Sequence, residues 1–270
     1  FPSITEPGTI LKRLSPDVAD KTGISGTTPV IAGASHDTAA AVASVPAKGN
    51  DWAFLSSGTW SLMGVELNEP VVTKQTHAYN FTNEGGVAGT TRFLKNIMGL
   101  WPLQECRKIW NGEGKQFNYA TLQTMAQQVE PVHAWIDVDD PRFLNPDNMV
   151  ESIIGILRET NQSYKTDPAW IVRCILESLA FKYRIVIEEL ELLTDQKIKR
   201  LHAVGGGIQN TLLSQLTADA IGRPVIAGPV EGTVAGNIGV QALATGSISD
   251  MASLRQIIRQ SFTIATYTPD

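Results

Sequence analysis

The feature that most restricts the fold is a unit met twice in the last third of the chain: a short apolar run, a glycine-rich turn, then a helix-forming segment. The first is Leu201-His202-Ala203-Val204, Gly205-Gly206-Gly207 and a helix from Thr211 to Ile221. The second is Pro224-Val225-Ile226-Ala227, the turn Gly228-Pro229-Val230-Glu231-Gly232, and a helix from about Thr233 to Thr245. Strands that alternate with helices read as α/β architecture. Far upstream, Trp52–Ser56 and Trp60–Val65 are strand-like runs separated only by Ser57-Gly58-Thr59, which is a hairpin signal. A hairpin followed by crossover units predicts an α/β chain built on a mixed sheet.

Other elements can be placed around these. Pro29-Val30-Ile31-Ala32-Gly33 reads as a short buried strand closed by glycine, and Asp37–Ala43 as an alanine-rich helix start. Between Arg92 and Trp110, Phe93, Ile97, Leu100 and Leu103 recur at helical spacing, predicting a helix that Gly99 and Pro102 bend near Trp101. Asp137–Asn148, with two prolines and several Asp and Asn, reads as a long loop. Asp167-Pro168 opens the strongest helix, an N-cap followed by proline in the first turn. Its stripe of Val172, Ile175, Leu176, Leu179, Tyr183, Val186, Leu190 and Leu193 is expected to be buried.

Composition removes several function classes. Of 270 residues, 43% are hydrophobic and 18% charged, which a folded domain needs and a disordered chain lacks. The formal charge of −5 argues against a nucleic-acid partner, and no run approaches the roughly 18 apolar residues of a membrane span. The reading is therefore of a cytoplasmic protein. Cys106 and Cys174 are too few for a disulfide framework and read as core residues; His36, His77, His133 and His202 are not spaced as a metal cage. Trp52, Trp60, Trp101 and Trp110 read as core or domain-contact residues. A start at Phe1, running directly into a turn-rich stretch, and an end at Asp270 read as those of a fragment or of a chain whose ends were trimmed or altered, and composition alone does not choose between them.

Three places can carry chemistry. In Gly33-Ala34-Ser35-His36-Asp37 a carboxylate follows a strand and opens a helix, where α/β sheets bind ligands; Asp37 can equally be an N-cap, and His36 a structural hydrogen-bonder. Ser57-Gly58-Thr59 can cradle phosphate oxygens or be an ordinary turn. Gly205-Gly206-Gly207 can admit a nucleotide against bare backbone or be a tight turn, and without a lysine it is not a P-loop.

The order of these pieces resembles the C-terminal lobe of the FGGY carbohydrate kinases, actin-like ATPases with ribonuclease H-like lobes. The resemblance runs through Gly33–Val42, Ser56–Ser61, Leu94–Trp101, Gly205–Leu213, Ile226–Glu231 and Gly236–Gly239. It implies that Asp37 is the catalytic base and that His36 and Asn96 contact the sugar. It implies further that Ser57, Gly58, Thr59, Gln104, Gly205, Gly206 and Asn210 meet ATP. The substrates implied are ATP, with Mg2+, and a ketose; Ser35-His36-Asp37 and Asn96 point to the branch acting on the 1-hydroxyl of L-rhamnulose. An N-terminal lobe would supply the metal-coordinating carboxylates, leaving no metal ligand here, and residues 1–270 alone are expected to be an inactive lobe. The competing readings are a kinase for xylulose, ribulose or fuculose, an actin-like ATP-binding module without catalysis, and a sugar-binding module unrelated to kinases.

Overall fold

A computed structural model describes residues 3–270, so Phe1 and Pro2 of the turn-rich opening lie outside the described residues. Among the described residues seven strands form one mixed sheet in the order β5-β6-β4-β3-β7-β8-β9. They are β3 (Trp52–Ser57), β4 (Ser61–Leu67), β5 (Thr82–Gly85), β6 (Thr91–Ile97), β7 (Arg200–Val204), β8 (Val225–Ala227) and β9 (Ala265–Tyr267). The pairs β3–β7 and β7–β8 are parallel and the remainder antiparallel, as a hairpin joined to crossover units requires. Two further strands, β1 (Ile10–Arg13) and β2 (Pro29–Ile31), pair only with each other.

Residue alternation along β3 sets the layers. Ala53 and Leu55 face one core, shared with α4 (Trp101–Gly112), α6 (Met149–Glu159), α7 (Pro168–Thr194) and α8 (Thr211–Ile221). Trp52 and Phe54 face the other side, toward α2 (Asp37–Ala43). Behind α2 lie α9 (Gly232–Ala244) and then α10 (Met251–Ser261). The remaining helices are α1 (Pro16–Thr22), α3 (Lys74–Ala78) and α5 (Tyr119–Gln127). At the start of α7 the Asp167 side chain accepts the Trp170 amide at 3.2 Å, and the helix ends on Asp195 in the left-handed region at φ 53°. Its stripe is buried from Val172 to Leu190, with Leu193 half-buried. Asp137–Asn148 is a loop carrying one short 3-10 turn, Pro141–Phe143.

Two expectations are corrected. Thr91–Ile97 is a strand, not the first half of a bent helix. Strand β6 is covered on both faces, Phe93 and Ile97 by one core and Leu94 by the other, so strand alternation is lost and the residual spacing imitates a helix. A Cβ on Gly99 would stand 2.6 Å from Ser61 Oγ and 2.8 Å from the Gly58 oxygen, so the chain turns there and α4 starts with Pro102 in its first turn. The strand at Pro29 exists but is not buried: β2 sits outside the sheet with only β1 beside it.

Candidate active site

Strands β3 and β7 run parallel, and their carboxyl ends bring two turns together: Ser57-Gly58-Thr59 and the 3-10 turn Gly206–Gln209. Packing dictates two of the three glycines. Gly205 has φ +92°, and a Cβ there would stand 2.8 Å from the Ser57 carbonyl oxygen; one on Gly207 would fall on the Ser57 hydroxyl and 2.9 Å from its Cβ. Around Gly206, by contrast, a Cβ would meet nothing within 4 Å. The middle glycine faces open space.

The hairpin tip is tied to the start of α4. Leu100 and Trp101 donate their N–H groups to the carbonyls of Gly58 and Thr59 at 3.0 and 3.1 Å, and the Gln104 amide lies 3.1 Å from the Thr59 hydroxyl. Among the described residues the Thr59 N–H has no partner. Beneath the tip Ser57 is 4% exposed, and the Tyr183 hydroxyl lies 2.7 Å from Ser61 Oγ; burial raises the Tyr183 phenol well above its ordinary range.

Helix α2 presents Asp37. Ser35 turns the chain at φ +60°, His36 takes the N-cap position, and Asp37 is the first helical residue, so its carboxylate is not the N-cap. Its Oδ1 accepts the Thr38 N–H at 2.7 Å and lies 3.4 Å from His36 Nδ1. The Asp37 side chain is 74% exposed, yet Thr38–Ala43 behind it are all buried. Gly236 of α9 lies directly on α2, and Thr233 at the start of α9 donates to the Asp37 carbonyl at 3.4 Å. An exposed acid thus stands on a buried, closely packed helix.

Two clefts flank the hairpin tip and share Gly58, Thr59 and Gly206. One, of 660 Å³, brings together His36, Asp37, Ser57, Asn96 and Gly205. The other, of 560 Å³, holds Gln104, Gly207 and Asn210. Every residue that the resemblance assigns to proton transfer, sugar or ATP therefore falls on one or both. Asn96 is exposed on β6 beside Leu62, while Asn210 also caps α8, its Oδ1 accepting the Leu213 N–H at 2.9 Å. Asp37 is the lone carboxylate on either wall, and no Lys or Arg lines them. Among the described residues no three His, Cys, Asp or Glu side chains converge. Nor is any described helix long and apolar enough to cross a membrane.

The structure adds residues that sequence reasoning missed. Trp60, expected as a core or domain-contact residue, is 47% exposed and lines the Asp37 cleft; preceding Ser61, which points inward, it points out. Tyr119 and Gln123 of α5 wall the other cleft, and the signal that could have found them is the Asn118 N-cap, which accepts the Thr121 N–H at 2.8 Å.

Comparison with known proteins gives a consistent result. Residues 53–245 match the domain described as "FGGY family of carbohydrate kinases, C-terminal domain". The chain is 49% identical to a rhamnulokinase of Bacteroides thetaiotaomicron over 97% of its own length and 53% of the relative's. It is 43% identical to a rhamnulokinase of Enterococcus faecalis over 99% of its length and 54% of the relative's. The chain thus spans about half the length of these curated relatives. Among solved structures, a xylulose kinase from Rhodospirillum rubrum superposes with TM-score 0.71 at 18% identity, covering 98% of this chain and 52% of that one. A ligand-bound xylulose kinase from Lactobacillus acidophilus gives TM-score 0.72 at 16% identity, covering 100% and 53%. The fold is that of these sugar kinases, the actin-like ATPase fold.

Proposed function

We propose that this chain, which belongs to the FGGY family of carbohydrate kinases, is the C-terminal, nucleotide-binding and catalytic-base lobe of a kinase that moves the γ-phosphoryl group of ATP to the 1-hydroxyl of L-rhamnulose. The observation that carries the reading is the pair of clefts meeting at Gly58-Thr59 and Gly206, with one carboxylate on one side and bare glycine backbone on the other. A donor and an acceptor lodged in the two clefts would face each other over a single hairpin tip.

In this reading ATP lies along Gly205-Gly206, with Gln104 and Asn210 on its wall. Its phosphates meet the unpaired Thr59 N–H and the Thr59 hydroxyl, with Ser57 buried beneath the tip. The sugar lies against His36, Asn96 and Asp37. As the sugar oxygen attacks phosphorus and the bond to the β-phosphate oxygen breaks, Asp37 accepts the hydroxyl proton, and ADP and L-rhamnulose 1-phosphate result. Phosphoryl transfer passes through a loose transition state, so a weak base suffices once alignment is fixed. The buried α2 supplies that alignment.

Charge is the part these clefts leave unmet. A transferring phosphoryl group needs cations, and neither wall holds one, so Mg2+ bound to ATP and an N-terminal lobe are the proposed sources. No residue here is assigned to the metal. L-Rhamnulose is favoured over other ketoses by the 49% identity to a rhamnulokinase, against 16–18% to the xylulose kinases that share the fold. We place the reaction in the cytoplasm, with its ATP. The test follows ATP-dependent phosphorylation of L-rhamnulose, L-fuculose, D-xylulose, L-ribulose and glycerol by the two-lobed protein. Preference for L-rhamnulose supports the reading; preference for another sugar removes the substrate, and no transfer to any sugar removes the kinase.

A further inference from the structure

A separate cleft of 400 Å³ opens at the other end of the parallel strands, between the loop after α2 and the end of α10. Arg200 on its wall and Gly205 in the active cleft are five residues apart along β7, or about 16 Å at the usual strand rise. Its cations come from three elements: Lys48 on the loop, Arg200 at the first residue of β7, and Arg259 in the last turn of α10. No carboxylate lines it. Asp51 stands next to it, 3.0 Å from Arg200 and 3.3 Å from Lys199. Arg259 donates from Nη1 to the carbonyls of Pro46 and Ala47 at 3.1 and 3.0 Å, which fixes the guanidinium without neutralising it. Lys48 is exposed and has no ion-pair partner among the described residues. In a chain of formal charge −5, this is a concentrated positive pocket.

Its floor supplies an independent observation. His202 is 3% exposed and lines the cleft, packed edge-on against Trp52 at 5.7 Å, and neither of its buried ring nitrogens has a hydrogen-bond partner. A buried polar group left unpaired is costly and marks a site where a ligand or ordered water completes the structure. Burial, reinforced by Arg200, Arg255 and Arg259, pushes the imidazole pKa down to about 3, so the ring is neutral in a strongly positive surrounding. Ile226 and Ile264 complete the wall with apolar surface.

We propose that this cleft is a second ligand site, distinct from the Asp37 cleft, that binds a phosphomonoester of sugar-phosphate size. Three cations converging from three directions fit a tetrahedral dianion better than a single carboxylate. The volume exceeds what a phosphate group alone fills, and the isoleucines suit a carbon skeleton. His202 lies in the floor beneath a bound phosphate, close enough for its ring to sense the added charge.

The test is calorimetric titration of the full chain, at low ionic strength, with fructose 1-phosphate and with inorganic phosphate. Expected is binding of fructose 1-phosphate that is tighter than that of inorganic phosphate, persists in saturating ADP, and shifts the 15N imidazole resonances of His202. Lys48→Glu, an exposed change that leaves the melting temperature in place, should weaken binding at least tenfold, and Arg200→Gln should weaken it in the same direction. Lys165→Glu, the same charge change outside the cleft, should leave it unaltered. No binding, displacement by ADP, equal affinity for inorganic phosphate, or indifference to Lys48→Glu would each overturn the proposal. The outcome is independent of which sugar the active cleft takes.

Discussion

Replacing Gly236 by alanine tests whether the platform beneath Asp37 is as tightly built as the packing of α9 on α2 implies. In an open helix interior that exchange stabilises by about 1 kcal/mol, because glycine loses more conformational freedom on folding. At Gly236 the added Cβ would fall on the carbonyl oxygen of Ala40 and 2.6 Å from its carbon. A comfortable carbon–oxygen contact is about 3.3 Å or more, so α9 would have to retreat from α2. Overpacking of this kind costs about 1–3 kcal/mol. After the helix-propensity gain, a net loss of up to about 2 kcal/mol remains, or up to about 8 °C in melting temperature for a chain of this size. Gly155 in α6 is the comparator: a Cβ there meets nothing within 4 Å, and Gly155→Ala is expected to raise the melting temperature by about 2–4 °C. Scanning calorimetry and urea titration of both variants measure this. A melting temperature for Gly236→Ala at or above that of the parent would refute the tight-platform reasoning.

Other consequences follow from buried groups. Because the folded His202 pKa is about 3 and the unfolded one about 6.5, only the unfolded chain takes up this proton as pH falls through that window. Its contribution is therefore complete above pH 6.5 and declines toward pH 3 by up to about 1.4 kcal/mol per pH unit. Urea unfolding at pH 7, 5 and 4 should show the slope, and His202→Phe should flatten it. Tyr183→Phe leaves the Ser61 hydroxyl without its 2.7 Å partner and should cost about 1–3 kcal/mol by urea denaturation. Burial raises the Cys106 thiol well above its usual range and that of Cys174 to about 12, so neither should react with a thiol reagent at pH 8 until the chain unfolds.

What could be read in the sequence had local causes. The hairpin, the glycine turns and α7 were legible because turn chemistry and capping write themselves into neighbouring residues: Asp167 caps α7, and Gly205 takes a φ few other residues tolerate. Strand β6 was misread because burial on both faces erases alternation. Strands β5 and β9 escaped notice since Thr-Asn-Glu-Gly and Ala-Thr-Tyr hold little apolar signal and are held by their neighbours in the sheet. Helices α6 and α10 did carry signals that went unused, the N-caps Asn148 and Asp250. Of the site, composition of the pieces was legible and mutual position was not. That Asp37 and Gly206 border one space depends on strand order, with β3 beside β7 although well over a hundred residues separate them. The clustering of Lys48, Arg200 and Arg259 about His202 has the same origin.

The central claim is a division of labour between two clefts that share one hairpin tip. The most direct measurement compares turnover and nucleotide affinity in the two-lobed protein carrying Asp37→Asn or Gly206→Val. Asp37→Asn keeps the shape and removes the carboxylate proposed as base, so kcat should fall by about 100-fold or more while the ADP dissociation constant stays within about threefold. Gly206→Val meets no protein atom at its Cβ but projects into the shared space, so it should fold normally and weaken ADP at least tenfold. Undiminished phosphoryl transfer without the Asp37 carboxylate, or ADP binding indifferent to a side chain at Gly206, would contradict it.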